Sequence, residues 1–497
     1  MTDPMRTSVE AIAAAATEFL LDGPNGDDPV LQFLSPDELA AAFGEVIPLE
    51  LGDNVPSRST DELRSAVDLV IRHSVQTSHP RFFNQNFAGP DPIAVVGDWL
   101  GAALNTTSAT FEAAPVFTLM EGAVLRKLAA VAGIVHDDEF GGAPPGMFAP
   151  GGSTATLYAM QLARHRRQPN MVNEGAGPER LVLFVSEAGH YAAVKSAALL
   201  GLGRNAVIEV DTDEVGVMNV EDLRRAVEQA RDDGATPFMV IATAGTTVTS
   251  AFDPIDAIAD VCEAEDLWMH VDGCYGGSAL FSSAERHRLA GVERADSFVW
   301  NLHKMMGATQ QCTALLLAEP EQLGPCFATG ADYIFQPDKL YGEFDSGDKH
   351  FQCARRVDSL KLWLLWQARG DAGFEERINH SVAMANRVRQ LVEESNGEFA
   401  FVVRGDFTNV TFLWVPPELR PFDLDVLADA DLAALHALPP VMKSKMQAEG
   451  TSLLGFQPVN GINCLRWLFM NDAVQNEDVD AVFAHLRRYG REAWEQR

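Results

Sequence analysis

The sequence has no pair of cysteines placed to work together. Its six cysteines stand at 262, 274, 312, 326, 353 and 464, with no Cys-x-x-Cys and no zinc-ligand spacing among them. They read as free thiols in a reducing compartment, and no metal site is expected. Cations are scarce as well: 38 Lys and Arg against 70 Asp and Glu leave a formal net charge of −32. That field repels phosphate backbones and anionic lipid, and no stretch gathers Lys and Arg into a basic stripe, so nucleic acid is disfavoured as a partner. It also repels an acidic ligand at long range, which leaves recognition of one to local cations in a closed pocket. Long apolar runs are missing too. Stretches such as 181–185 and 313–318 fall far short of the roughly 20 residues that cross a bilayer. The first turns carry Asp3, Glu10 and Glu18 around an alanine run, without the basic lead of a secretory signal. The expected location is the cytoplasm, with no membrane partner.

What is present is an ordinary globular composition, 497 residues with 47% hydrophobic content, enough for one large core and a smaller companion. Residues 1–84 read as a helical segment, with helices at 8–21 and 60–76 around a Gly-, Pro- and Asp-rich turn at 22–29. Residues 85–370 alternate short apolar runs with amphipathic stretches. Strands are expected at 181–186, 207–210, 238–243, 268–271, 297–300 and 313–317, and helices at 220–231 and 254–264. The runs are continuous rather than alternating, as in strands buried on both faces, and the order implies a mostly parallel sheet covered by helices. Residues 371–497 read as a small α+β domain, with helices at 374–394, 423–449 and 477–489 and strands at 399–403, 410–414 and 464–469.

Four segments stand out chemically. In Trp300-Asn301-Leu302-His303-Lys304-Met305-Met306-Gly307 a lysine follows a buried strand and precedes apolar residues, where an ammonium is expensive unless paired or neutral. That suits a Schiff-base lysine; a strand-end lysine reaching solvent along its stem is the competing reading. In Trp268-Met269-His270-Val271-Asp272-Gly273-Cys274-Tyr275 an aspartate ends a core strand, in the crevice where open α/β sheets bind ligands. A turn or capping acid is the alternative. Pro150-Gly151-Gly152-Ser153-Thr154 opens a helical stretch at 157–166, so that backbone amides and the helix dipole can meet an anion. An ordinary turn would also use these glycines. Ser186-Glu187-Ala188-Gly189-His190-Tyr191 places a histidine after a buried strand, where it either stacks on a flat ring or is a satisfied structural residue.

Together, in this order and spacing, these segments resemble the group II pyridoxal-phosphate decarboxylases, nearest to the branch with glutamate decarboxylase and cysteine sulfinate decarboxylase. His79-Pro80-Arg81-Phe82-Phe83-Asn84-Gln85, Thr243-Ala244-Gly245-Thr246-Thr247, Ala251-Phe252-Asp253-Pro254 and Gln352-Cys353-Ala354-Arg355-Arg356-Val357-Asp358 extend the resemblance over nearly the whole chain. It implies an aspartate-aminotransferase-like (fold type I) α/β domain with a small C-terminal domain, a homodimer with active sites at the subunit interface, and pyridoxal 5'-phosphate as cofactor. It implies that Lys304 carries the cofactor, Asp272 pairs with its ring nitrogen and His190 stacks on the ring. Gly152, Ser153, Asn301 and His303 would surround the phosphate, with Thr247 beside the cofactor. Gln85 and Arg466 would hold a substrate carboxylate, and Tyr333 would return a proton to Cα. The implied reaction is α-decarboxylation of a small acidic amino acid: cysteine sulfinate, aspartate or glutamate.

The chain departs from that pattern in places. In Asn105-Thr106-Thr107-Ser108-Ala109, Thr107 and Ala109 stand in the substrate segment, and Ala109 replaces the bulky aromatic of the relatives. The pocket there is either wider or refilled from elsewhere, so a decarboxylase of a bulkier, non-acidic amino acid is the second reading. Gly273-Cys274-Tyr275 replaces the usual Ala-Ala-Trp, and Leu302 replaces a proline. A catalytically silent dimeric partner is a third reading, set against the presence of Lys304, Asp272, His190 and Tyr333.

Overall fold

The computed structural model describes residues 3–134, 144–331, 333–336 and 338–496. The chain divides into two compact units, one of residues 93–382 and 403–407, the other of residues 1–92, 383–402 and 408–497. The segments expected as 1–84 and 371–497 therefore fall mostly within one unit. A backbone pairing accounts for this: Phe82 and Phe83 lie parallel to Leu453 and Leu454 as an edge of the same sheet.

The larger unit is built on seven strands, β1 (Gly146–Ala149), β2 (Leu181–Ser186), β3 (Val207–Val210), β4 (Thr236–Thr243), β5 (Trp268–Asp272), β6 (Ser297–Asn301) and β7 (Thr313–Leu317). They run in the order β1-β7-β6-β5-β4-β2-β3. All pairings are parallel except those of β7, which is antiparallel to both neighbours. Five of these strands are buried along their whole length, which explains why they read as unbroken apolar runs. Helices Gly152–Arg167, Val220–Asp232 and Ile255–Glu265 pack against them. Local signals set the boundaries. The Asn219 side chain accepts from the amides of Glu221 and Asp222 at the start of Val220–Asp232, a cap worth about 1 kcal/mol. Parallel strands end on one edge, so the loops after β2, β4, β5 and β6 open on the same side of the sheet.

The smaller unit carries a five-stranded sheet in which Leu453–Val459, Ile462–Leu468 and Asn409–Trp414 form the antiparallel centre. Helices Asp3–Asp22, Thr60–His73, Asp429–Glu449 and Asn476–Glu495 belong to it. Phe83 packs its ring against Trp467 and Phe469, each with centroids 5.3 Å away. The helix expected from 423 begins at Asp429, after a single short turn at Leu424–Val426. Among the described residues no helix is long and apolar enough to cross a membrane.

Candidate active site

The strand ends assemble the site. Beyond the C-terminal edge of β2, β4, β5 and β6 lies a cavity of about 360 Å³, lined by Gly152, Ser153, His190, Thr247, Asp272, Asn301, His303 and Lys304. Eight residues singled out from separate stretches of sequence thus share one hollow within one unit.

At one end of the cavity is the start of helix Gly152–Arg167, which has no side-chain cap on its first amides. Gly152, Ser153 and Thr156 face the hollow from its first turns, so the unsatisfied N–H groups and the positive end of the helix dipole are available to an anion there. Gly152 has no substitute. A Cβ at this position would lie 2.3 Å from Cys274 Sγ and 3.0 Å from Asn301 Nδ2. Gly151 before it holds φ of 99°, a conformation that strains any other residue. Asn301 is fixed in turn by Thr313 Oγ1, which donates to its Oδ1 at 2.9 Å.

Lys304 sits on the connection between β6 and the antiparallel β7. That connection is closed by Leu302 N donating to Cys312 O at 2.9 Å and Lys304 N donating to Asn301 O at 3.1 Å. The His303 ring braces it, with Nδ1 2.9 Å from Cys312 O and 3.1 Å from Cys312 N. Met305 and Met306 bury themselves next to the lysine, and Arg377 Nε donates to Met305 O at 2.8 Å. Burial pushes His303 down to about 4, so its imidazole stays neutral throughout the physiological range and serves as a hydrogen-bonding group rather than a cation.

Asp272 is 8% exposed at the end of β5. Burial works against its ionisation, but His190 when protonated, Lys304 and the Cys274 side chain outweigh it, and the carboxyl lies below its ordinary range. It is a carboxylate at neutral pH. Two residues back on the same strand, His270 is wholly buried with Nδ1 2.8 Å from Ser297 Oγ, and burial brings it down to about 4. Burial also lowers His190, which leaves a largely neutral aromatic ring lining the cavity beside Asp272 and Lys304.

The hollow therefore offers an anion cradle at a helix start, an ionised buried acid, a flat neutral ring and a primary amine. This donor set fits pyridoxal 5'-phosphate, with its phosphate, its basic ring nitrogen, its planar ring and its aldehyde. The site also contains residues to which the sequence gave no role. Thr156, Tyr191, Gly245, Cys274, Tyr275 and Gln310 line the same cavity. Thr156 follows Gly152 by one helical turn, a spacing that identifies it as a same-face neighbour. Gln310 gives no such signal.

Five expected residues lie elsewhere. Tyr333 is 82% exposed and outside the cavity; its neighbour Asp332 lies outside the described residues. Ala109 is 3% exposed, with its carbonyl accepting from Ser346 N at 3.2 Å and Gly347 N at 2.8 Å. Thr107 Oγ1 donates to Cys353 O and accepts from Arg355 N. Neither residue lines the hollow. Gln85 and Arg466 belong to the smaller unit. There Arg466 is 4% exposed on Ile462–Leu468 and its Nη2 donates to Asn84 O at 2.8 Å, which bonds it to the residue that precedes Gln85.

Known proteins match this chain along its length. The pyridoxal-dependent decarboxylase conserved domain matches residues 47–415. Cysteine sulfinic acid decarboxylase of Homo sapiens is 42% identical over 99% of this chain and 97% of its own. Acidic amino acid decarboxylase of Bos taurus is 39% identical over 99% and 90%. The crystal structure of mouse CSAD has a TM-score of 0.91 at 40% identity, covering 98% of this chain and 99% of that one.

Proposed function

Because this chain belongs to the pyridoxal-dependent decarboxylase family and uses pyridoxal 5'-phosphate, we propose that it removes the α-carboxylate of a small acidic L-amino acid, with cysteine sulfinate, aspartate and glutamate as leading substrates. The observation that carries this is the single cavity holding Lys304, Asp272 and His190. It stands in a chain similar over its whole length to relatives named for cysteine sulfinic acid and acidic amino acids. When bound, the cofactor supplies a carbonyl for amine condensation and a ring that accepts electrons.

The chain's own groups divide the remaining work. Lys304 provides the amine that tethers the cofactor. The Asp272 carboxylate would pair with the cofactor's ring nitrogen and favour its protonated form, and the His190 ring would lie against the planar system. The first amides of Gly152–Arg167, with Ser153, Asn301 and His303, hold the phosphate, with Thr247 alongside. Gln85 and Arg466 would hold a substrate carboxylate, where a guanidinium fork suits a planar acid. Tyr333 returns the proton to Cα.

The acidic assignment rests on the relatives and not on Ala109, which does not line the hollow. A Cβ on Gly347 would come within 2.8 Å of the Phe335 ring and 3.0 Å of Ala109 O, so Phe335 and the Ala109 backbone both crowd Gly347. Carbon dioxide release should be measured across a panel of amino acids. Turnover is expected with the acidic members; turnover confined to aromatic or aliphatic amino acids defeats the assignment.

The working form we propose is a homodimer in the cytoplasm, each cavity completed by Tyr333 of the partner subunit. Helix Pro92–Leu104 supports this. It leaves Ile93, Val96, Trp99, Leu100 and Leu104 exposed, while Gly97 on its other side would place a Cβ 2.8 Å from Lys361 Cα. An apolar stripe of this kind on a helix otherwise seated in its unit is characteristic of an interface. Leu340, Tyr341 and Phe351 are exposed as well, near Tyr333 in sequence. Cys353 carries an exposed free thiol, in keeping with a reducing compartment. Co-expressed Lys304→Ala and Tyr333→Phe chains, each inactive alone, should regain up to about one quarter of wild-type activity, since half the dimers are mixed and each has one intact site. Mixed dimers without activity would place Tyr333 over its own chain's cavity.

A further inference from the structure

We propose that Tyr191 is a positioning residue for His190, its ring backing the imidazole so that one face is held out to the cofactor; the inference rests on reading His190 as the side chain that lies against the cofactor ring. Two contacts fix the imidazole, and they act in different directions. In its own plane, Ala192 N donates to His190 Nδ1 at 3.2 Å, which opposes rotation of the ring. That bond makes Nδ1 the acceptor, so the neutral imidazole carries its proton on Nε2. Across its face, the Tyr191 ring stands with its centroid 4.1 Å away and its plane inclined by 34°, which opposes tilting. An imidazole has two faces. With Tyr191 against one, the other is left for a second planar system.

Tyr191 is itself held. It stands at the start of helix Ala192–Leu199, and Lys195, one turn on, places its ammonium 4.4 Å from the centre of the Tyr191 ring. This is a neighbouring pair on one side of a helix, in which a cation meets the electron-rich face of an aromatic. The side chains of Lys195, Tyr191 and His190 thus form an unbroken chain of contacts that ends at the cavity, where both rings line the wall. Tyr191 is 58% exposed, so the core does not depend on it and truncating it leaves the fold in place.

The test compares Tyr191→Ala and Tyr191→Phe with wild type as cofactor-loaded enzymes. It reads the visible circular dichroism of the bound cofactor, which reports how the cofactor ring sits among its neighbours, beside steady-state kinetics. Alanine should weaken the visible band and lower kcat roughly fivefold, the order expected for the loss of one aromatic contact, with KM little changed and the far-ultraviolet spectrum unaltered. Phenylalanine, which keeps the ring against His190 and the seat for Lys195, should restore both band and rate. An unchanged visible band in Tyr191→Ala overturns the inference, as does a phenylalanine variant no better than alanine. His190→Ala serves as the reference. If it alters the band and Tyr191→Ala does not, only the role of Tyr191 falls; if it too leaves the band unaltered, the reading of His190 falls and this inference with it.

Discussion

Lys304→Ala should abolish turnover, with a fall in kcat on the order of 10³-fold or more, equivalent to about 4 kcal/mol or more of lost transition-state stabilisation. The amine reaches the cavity from a connection closed on both sides by backbone hydrogen bonds, and alanine leaves that backbone intact. The variant is therefore expected to fold, with unchanged far-ultraviolet circular dichroism, and to hold the cofactor only non-covalently. Borohydride reduction followed by peptide mapping checks the assignment. In wild type the pyridoxyl label belongs on the peptide containing Lys304, and recovery of the label on another lysine would end the account.

Asp272→Asn is expected to lower kcat by about 10²-fold to 10³-fold, in the range seen when one preorganised electrostatic partner is removed from a dry site. Asparagine keeps the shape and can still accept from Cys274 N, but it has no charge to stabilise a protonated ring nitrogen. The carboxylate lies below its ordinary range in the native protein, so it stays ionised through neutral pH and the wild-type enzyme gains nothing from further alkalinity. The mutant should lose rate at every pH from mildly acidic to neutral. A variant retaining wild-type kcat would show that ring protonation does not depend on this acid.

Much of the large sheet was legible because its strands are buried on both faces. The spans 181–186, 207–210 and 313–317 were read with the bounds they adopt. Three strands escaped, the shortest being the two-residue edge Phe82–Phe83 inside a segment read as helical. Gly146–Ala149 is short and lies between prolines and glycines, so no periodicity could form. Leu453–Val459 contains Gly455, Gln457 and Pro458, residues that argue against a strand until pairing with Ile462–Leu468 is known. Conversely, Pro439 and Pro440 sit inside Asp429–Glu449 without ending it. The site was legible where chemistry follows a strand end, as at Asp272, Asn301 and Lys304. It was not legible where a residue arrives by folding alone, as with Gln310, or where local sequence leaves the filling of a corner open, as with Phe335 beside Gly347.

The reversal of β7 has a kinetic corollary. Because the short return from Asn301 to Thr313 is hydrogen-bonded at its base, the root of Lys304 is stationary and only its stem can swing. An amine on so short a leash is confined to a small sphere, with an effective concentration at the cavity in the millimolar range or above. In the role proposed for Lys304, recapture after each catalytic cycle would be an intramolecular event, faster than diffusion of any dissolved amine to the same point. A soluble alkylamine should replace the missing side chain of Lys304→Ala only when it is supplied in great excess.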